Sequence, residues 1–342
     1  MDKFFVNDIS KYRSHLMGTA ALLVIFGHSA GNGVVMPGWM ESLCGLASVG
    51  VDIFLLVSGL GLWYSLQKSG ASEGVTTWYK RRYARILIPY LLITVVSNIL
   101  AITRGSKSII SAILDISTIN YWLNHRGAWF IAMLIPLYAI APLHDYLCKK
   151  VKNPLLFNLA IIISILCISC IPISVESISF QRFIDNVRNV LFHLPAFYIG
   201  FMIAPFSKEK NEISWFWVVV IPIIVVALMR FSGIGYWPGF LFLPLTGILC
   251  VLFRHCGKMI MHIFDFFGKI SLESYLLNGT VGAWIIAYLP MVYESSLNKG
   301  CYLHYGLVIV FGTLLAYAVH KLCDKLYFNR INARKVNSSR IN

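Results

Sequence analysis

The chain has 342 residues, 58% of them hydrophobic and 13% charged, with a mean hydropathy of +0.71. A soluble domain carries about 25% charged residues, so these values exclude one and predict a polytopic membrane protein. The formal net charge of +14 would suit nucleic acid only if it formed one patch, and it does not.

Ten apolar runs, each near the ~20 residues that cross a bilayer, follow in chain order. They are Leu16–Met36, Leu43–Leu66, Arg85–Thr103, Ala128–Leu147, Leu155–Ile173, Val190–Phe206, Ile213–Phe231, Tyr236–Phe253, Ile270–Pro290 and Tyr302–Leu322. The expected fold is an all-α transmembrane helix bundle of about ten spans. Most of the 29 Lys and Arg fall in the N-terminal segment, alternate loops and the C-terminal tail. Arg104, Lys107, Arg126, Arg182, Arg188, Arg230 and Lys299 fall on the opposite face. That asymmetry predicts an N-in, C-in protein of the cell membrane. The basic charge is then topology, and no nucleic-acid partner is expected. One integral-membrane domain over residues 1–342 is expected, with a mobile tail at about 331–342. No small-residue cleavage site follows the first run, which is therefore expected to stay as an anchor.

The first run, in YRSHLMGTAALLVIFGHSA, carries His28 within apolar sequence. An ionisable group there is costly unless it is paired or faces water, so it marks a candidate site. At helical periodicity Arg13 lies about 60° around the axis from His28, near the cytoplasmic end. The second run carries Asp52 as its one acidic residue, with Ser58 and Gly59 interrupting the apolar pattern. His28 lies eight residues before the end of its run and Asp52 nine after the start of the next. In antiparallel helices both would sit ~12–14 Å from the same face. That equality predicts a pair in which Asp52 orients His28 as a general base. The plainer readings are a helix-to-helix hydrogen bond for His28 and a structural ion pair for Asp52.

WYKRRYARILIPY opens the third run with Arg82 and Arg85 on one helical face. Planar guanidinium forks suit a phosphate-rich ligand, although juxtamembrane basic clusters also set topology and bind anionic lipid. Trp129, in GAWFIAMLIPLY, and His193, in HLPAFYIG, could line a cavity, Trp129 as an accessory site residue, although the plainer readings are an interfacial aromatic and a packing histidine. Cys167 and Cys170 form a C-x-x-C read as core packing, and Cys44 and Cys301 both fall near the outer face, where a disulfide is conceivable. No ligand set for a metal is expected. GKISLESYLLNG brings Glu273 and Asn278 into the ninth run, either as a site or as helix-to-helix hydrogen bonds.

In this order the segments resemble the acyltransferase 3 family of membrane-bound acyltransferases, many of which O-acetylate cell-surface glycans. The resemblance rests on His28, GVDIFLLVSG at Gly50–Gly59, Arg82 and Arg85, the Trp129–Phe130 pair, and SLESYLLN at Ser271–Asn278. It implies an acetyl-CoA (or other acyl-CoA) donor substrate entering from the cytoplasm and no bound cofactor. It implies a glycan or lipid-linked saccharide acceptor, His28 central to transfer, and Arg82 and Arg85 assisting the donor. Two positions depart from the family pattern. Its usual arginine eleven residues before the histidine falls on Met17, with Arg13 one turn earlier, and its frequent histidine at the end of SLxxYLL is Asn278. The expected chemistry has His28, oriented by Asp52, deprotonating a sugar hydroxyl that attacks the thioester. Ser58 or Asn278 would stabilise the oxyanion, and prior transfer to a protein group is the other route. The competing class is a proton-coupled transporter or flippase of a glycolipid, with His28 and Asp52 as a relay. The lack of visible internal repeats counts against it.

Overall fold

A computed structural model describes residues 3–70, 74–233, 237–297 and 299–328. The chain is a bundle of α-helices. In chain order they are α1 (Val6–Lys11), α2 (Arg13–Gly31), α3 (Gly38–Leu46), α4 (Val49–Gly70), α5 (Gly74–Thr103), α6 (Ile109–Ile116), α7 (Ile119–Asn124), α8 (Trp129–Lys150), α9 (Pro154–Cys170), α10 (Ile178–Ile203), α11 (Ile221–Phe231), α12 (Phe242–His255), α13 (Lys258–Lys269), α14 (Ser271–Tyr288), α15 (Pro290–Leu297) and α16 (Tyr302–Cys323). The only described strands, β1 (Phe4–Phe5) and β2 (Glu212–Ile213), pair antiparallel. With the Asp8–Arg254 ion pair they tie α1 to the end of α12.

Local sequence sets several ends. Ser108, Asn153 and Ser177 cap α6, α9 and α10 by accepting the backbone N–H three residues on. Pro89, Pro136, Pro142 and Pro195 lie inside helices, as neighbouring helices allow in membrane proteins.

Among the described residues four helical runs are long and apolar enough to cross a membrane: Gly38–Lys68, Gly74–Thr103, Trp129–Lys150 and Tyr302–Leu326. A fifth is reached if α14 and α15, bent by 100° at Leu289, count as one. Pro154–Cys170, Phe216–Phe231 and Gly239–His255 are apolar but shorter. The boundaries differ from the expected runs where polar groups intrude. The first ends at Gly31 instead of Met36, and the second breaks at Ala47–Ser48. Val190–Phe206 contains only the second half of α10, which begins twelve residues earlier at Ile178. The tail at 331–342 and Tyr236 lie outside the described residues.

The core is built around the run Gly38–Lys68, which contains most of α4 and whose most apolar stretch is 72% buried, against 28% for α5 and 22% for Tyr302–Leu326. Gly59 faces the Phe197 carbonyl and Gly200 faces the Leu56 carbonyl, so α4 and α10 pack backbone against backbone. A methyl at either position would drive them apart. Cys167 and Cys170 are exposed on α9 and do not pack the core, because they fall on the face that α8 and α10 leave uncovered. Cys44 and Cys301 are both buried and unbridged, and the Cys44 thiol donates to the Phe26 carbonyl at 3.0 Å.

Candidate active site

His28 occupies the last turn of α2. Its Nδ1 lies 3.0 Å from Oδ1 of Asn278, which α14 buries. The Tyr305 hydroxyl, from α16, gives its proton to the Ile25 carbonyl. Oδ1 of Asn278, an acceptor only, faces the imidazole. His28 Nδ1 must carry the proton, which leaves the lone pair on Nε2. That is the tautomer a general base needs.

Asp52 does not provide this orientation. Its Oδ1 receives Nδ1–H of His193 at 2.8 Å, and the two residues are 2% and 3% exposed. The equal-depth count fails because both runs were mis-bounded. His28 is three residues from the true end of α2, whereas Asp52 lies well inside the run that starts at Gly38. Contacts give the registration: Gly27 faces Ala47, and Gly50 faces the Ala20 carbonyl. Asp52 thus stands near the level of Ala20, about eight residues or ~12 Å from the level of His28. Parallel packing of α4 and α10 then brings His193 to it. The ring of Trp129 lies 5.0 Å from that of His193. Trp129, Phe130, Tyr275 and His28 continue as neighbouring rings at 6.2, 5.4 and 6.5 Å. Tyr275 also accepts the Phe130 N–H at 3.2 Å, which joins α14 to the start of α8. One aromatic wall therefore links the two histidines.

The far end of α2 gathers cations. Arg82 Nε donates to Ser65 Oγ at 2.9 Å and its Nη2 to the Gly61 carbonyl at 3.4 Å, both on α4. Gly61 also receives the Arg13 guanidinium, which a methyl there would displace. Arg13 Nε is buried without a hydrogen-bond partner. Arg85 and the Tyr138 phenol lie within electrostatic reach of both arginines. Among the described residues no carboxylate pairs with Arg13, Arg82 or Arg85. Three guanidinium groups gathered without a carboxylate partner could hold an anion between them. Arg13 and His28 are separated by ~22 Å of one helix.

Glu273 joins neither His28 nor the arginines directly. It accepts from His320 Nδ1 at 3.1 Å, and His320 Nε2 lies 3.4 Å from Asp324. Ser58 lies between the two ends, six residues along α4 from Asp52, and so stands on the far side of Asp52 from His28.

The family model of the acyltransferase 3 domain, described as an acyltransferase domain, matches residues 15–321. The chain belongs to the acyltransferase 3 family. No curated protein and no solved structure matches it. With its apolar helices, this acyltransferase 3 protein is a membrane acyltransferase. The match runs from the second residue after Arg13 to the residue after His320, and so contains both histidine sites and the R-x-x-R. Sequence reasoning set His193 aside as packing. The rule that singled out His28, an ionisable group within an apolar run, applies equally to His193.

Proposed function

We propose that this acyltransferase moves an acetyl group from acetyl-CoA to a hydroxyl of a cell-surface or lipid-linked glycan in polysaccharide biosynthesis. The reading includes a single domain of about ten spans in the cell membrane, with both termini in the cytoplasm. The observation that carries it is the His28 ring, held at Nδ1 by Asn278 at one end of α2, with arginines that have no carboxylate partner among the described residues at the other. Arg82 and Arg85, joined by Arg13, hold the CoA phosphates at the basic face, and the pantetheine arm runs along α2 toward His28. The acceptor approaches from the opposite face.

His28 Nε2 takes the hydroxyl proton as the oxygen attacks the thioester carbonyl. The tetrahedral intermediate collapses with rupture of the C–S bond, and the departing thiolate takes the proton back from the imidazolium. Acetyl ester and free CoA thiol result, with His28 restored. Asn278 secures the ring through Nδ1 and, being neutral, leaves Nε2 free to give up its proton again. Ser58 is too far along α4 to reach an oxyanion beside His28.

Transfer of labelled acetyl from acetyl-CoA to lipid-linked glycan in proteoliposomes tests the reading. Wild type should label the glycan and His28→Ala should not. Equal labelling by both, or accumulation of lipid-linked precursor in cells without any change in acetylation, would overturn it; the second result marks a flippase.

A further inference from the structure

A polar cavity of about 630 Å³ opens among α6, α7 and the start of α10. Its walls include Ser111, Asn120, Asn124, His125, Arg126 and Arg182. The cavity is at the opposite end of the bundle from the donor arginines, because α5 carries the chain ~30 Å from Arg82 before α6 begins. Arg126 leads directly into the aromatic wall of the active site, being followed by Gly127, Ala128 and Trp129.

The cavity is a built site. Lys107 bonds Asp115, Asp115 accepts from the Asn120 amide, and Asn120 Oδ1 accepts from Asn124 at 2.7 Å. The segment is held in uncommon backbone: Thr118 and His125, which flank α7, have φ of 63° and 57°. Left-handed non-glycine residues persist only where surrounding structure fixes them, and they cluster at ligand sites. Asn186 donates through Nδ2 to the Tyr121 and Trp122 carbonyls, at 2.8 and 3.1 Å, so its Oδ1 accepts from His125 Nδ1. His125 Nε2 is left as an acceptor at the cavity. Arg126 and Arg182 have no carboxylate partner among the described residues.

Amides, a hydroxyl and an imidazole acceptor match the mixed donors and acceptors of a sugar ring. Two unpaired guanidinium forks match a planar carboxylate or a phosphate. The volume falls within the ~300–1,000 Å³ usual for small-ligand sites. We infer that this cavity binds the acceptor glycan through a saccharide segment bearing a uronate carboxylate, held by Arg126 and Arg182. The inference rests on the acyl-transfer reading for the word acceptor, and the binding itself does not depend on transfer.

The test uses the full chain in nanodiscs of neutral phosphatidylcholine, titrated with a galacturonate trisaccharide and the matched galactose trisaccharide. Wild type should prefer the acidic sugar by roughly tenfold or more, from charge-assisted contacts. Arg126→Gln with Arg182→Gln should erase that preference. Asn124→Asp, which adds a like charge inside the cavity, should weaken the acidic sugar alone and more so at low salt. Equal affinity of the two sugars in wild type, failure to bind either, or an unaltered preference in both variants would overturn the site. Glycerol phosphate displacing the acidic sugar at equal concentration would overturn the saccharide in favour of an anionic lipid headgroup. Wild type that binds the acidic sugar yet transfers nothing from acetyl-CoA would overturn the acyl-transfer reading and leave this site standing.

Discussion

His28 and His193 each present Nδ1 to a buried oxygen, and the oxygens differ. His28 meets the neutral amide of Asn278, whereas His193 meets the carboxylate of Asp52. A carboxylate adds a charge beside the ring, whereas an amide orients the ring and adds none. As the proposed base, His28 takes and returns a proton beside an uncharged partner, while His193 and Asp52 form a hydrogen-bonded pair deep in the bundle. Pairing is also what makes an aspartate tolerable at 2% exposure.

The largest effect should follow removal of the base. His28→Ala should lower acetyl transfer by ~10²–10⁴-fold, the usual contribution of a positioned general base. Membrane insertion should persist, because the helix stays apolar. A well-expressed His28→Ala protein with full transfer would reverse the ranking of the two histidines.

The second site should fail in stability. His193→Leu strips Asp52 of its imidazole partner and should cost about 3–5 kcal/mol. Adding Asp52→Leu should restore most of that, since an apolar pair carries no desolvation penalty. Thermal unfolding in detergent would separate the cases. Additive losses in the double variant would mean that the pair is not the unit proposed.

The contrast between the histidines was only half legible in the sequence. His28, Arg82, Arg85 and Asn278 announce themselves as polar residues in or beside apolar runs, and the R-x-x-R spacing fixes a shared face. Their partners depend on where helices end. Three Gly and Asn residues near the end of the first run let α2 stop at Gly31, and the break at Ala47–Ser48 is invisible to a hydropathy window. Each moves a residue by more than a turn, enough to misplace Asp52 relative to His28. The parallel packing of α4 and α10 is set by Gly59 and Gly200, which lie far apart in sequence. Arg13 was legible as a cation and illegible as a neighbour of Arg82, because both reach it through Gly61 of a third helix.

A smaller effect tests the donor end against both histidines. Arg82→Lys with Arg85→Lys keeps the charge and the topology but removes the planar forks. Lysine cannot reproduce the pair of bonds from Arg82 to Ser65 and Gly61. Apparent affinity for acetyl-CoA should fall by roughly ten- to a hundredfold, with kcat little changed. An unchanged acetyl-CoA dependence, with a topology reporter also unchanged, would reduce the arginines to juxtamembrane charge.

Asn278→Asp is the smallest change and the sharpest, because it gives His28 the kind of partner that His193 has. The side chains are isosteric, so Nδ1 of His28 keeps an oxygen acceptor at the same place. What changes is charge. The new carboxylate stabilises the imidazolium, so His28 holds a proton at pH values where the native ring is a free base. Transfer should fall on the acid limb of the pH profile, by up to about tenfold for a one-unit displacement. The loss should be recovered as pH rises and the ring is deprotonated, so that the acid limb of the kcat/KM profile moves to higher pH while the plateau is retained. Asn278→Ala removes the acceptor without adding charge, and its loss should not be recovered at high pH. Parallel profiles for the two variants would show that the charge at position 278 is immaterial. The neutrality of Asn278 would then lose its place in the argument for His28 as the base.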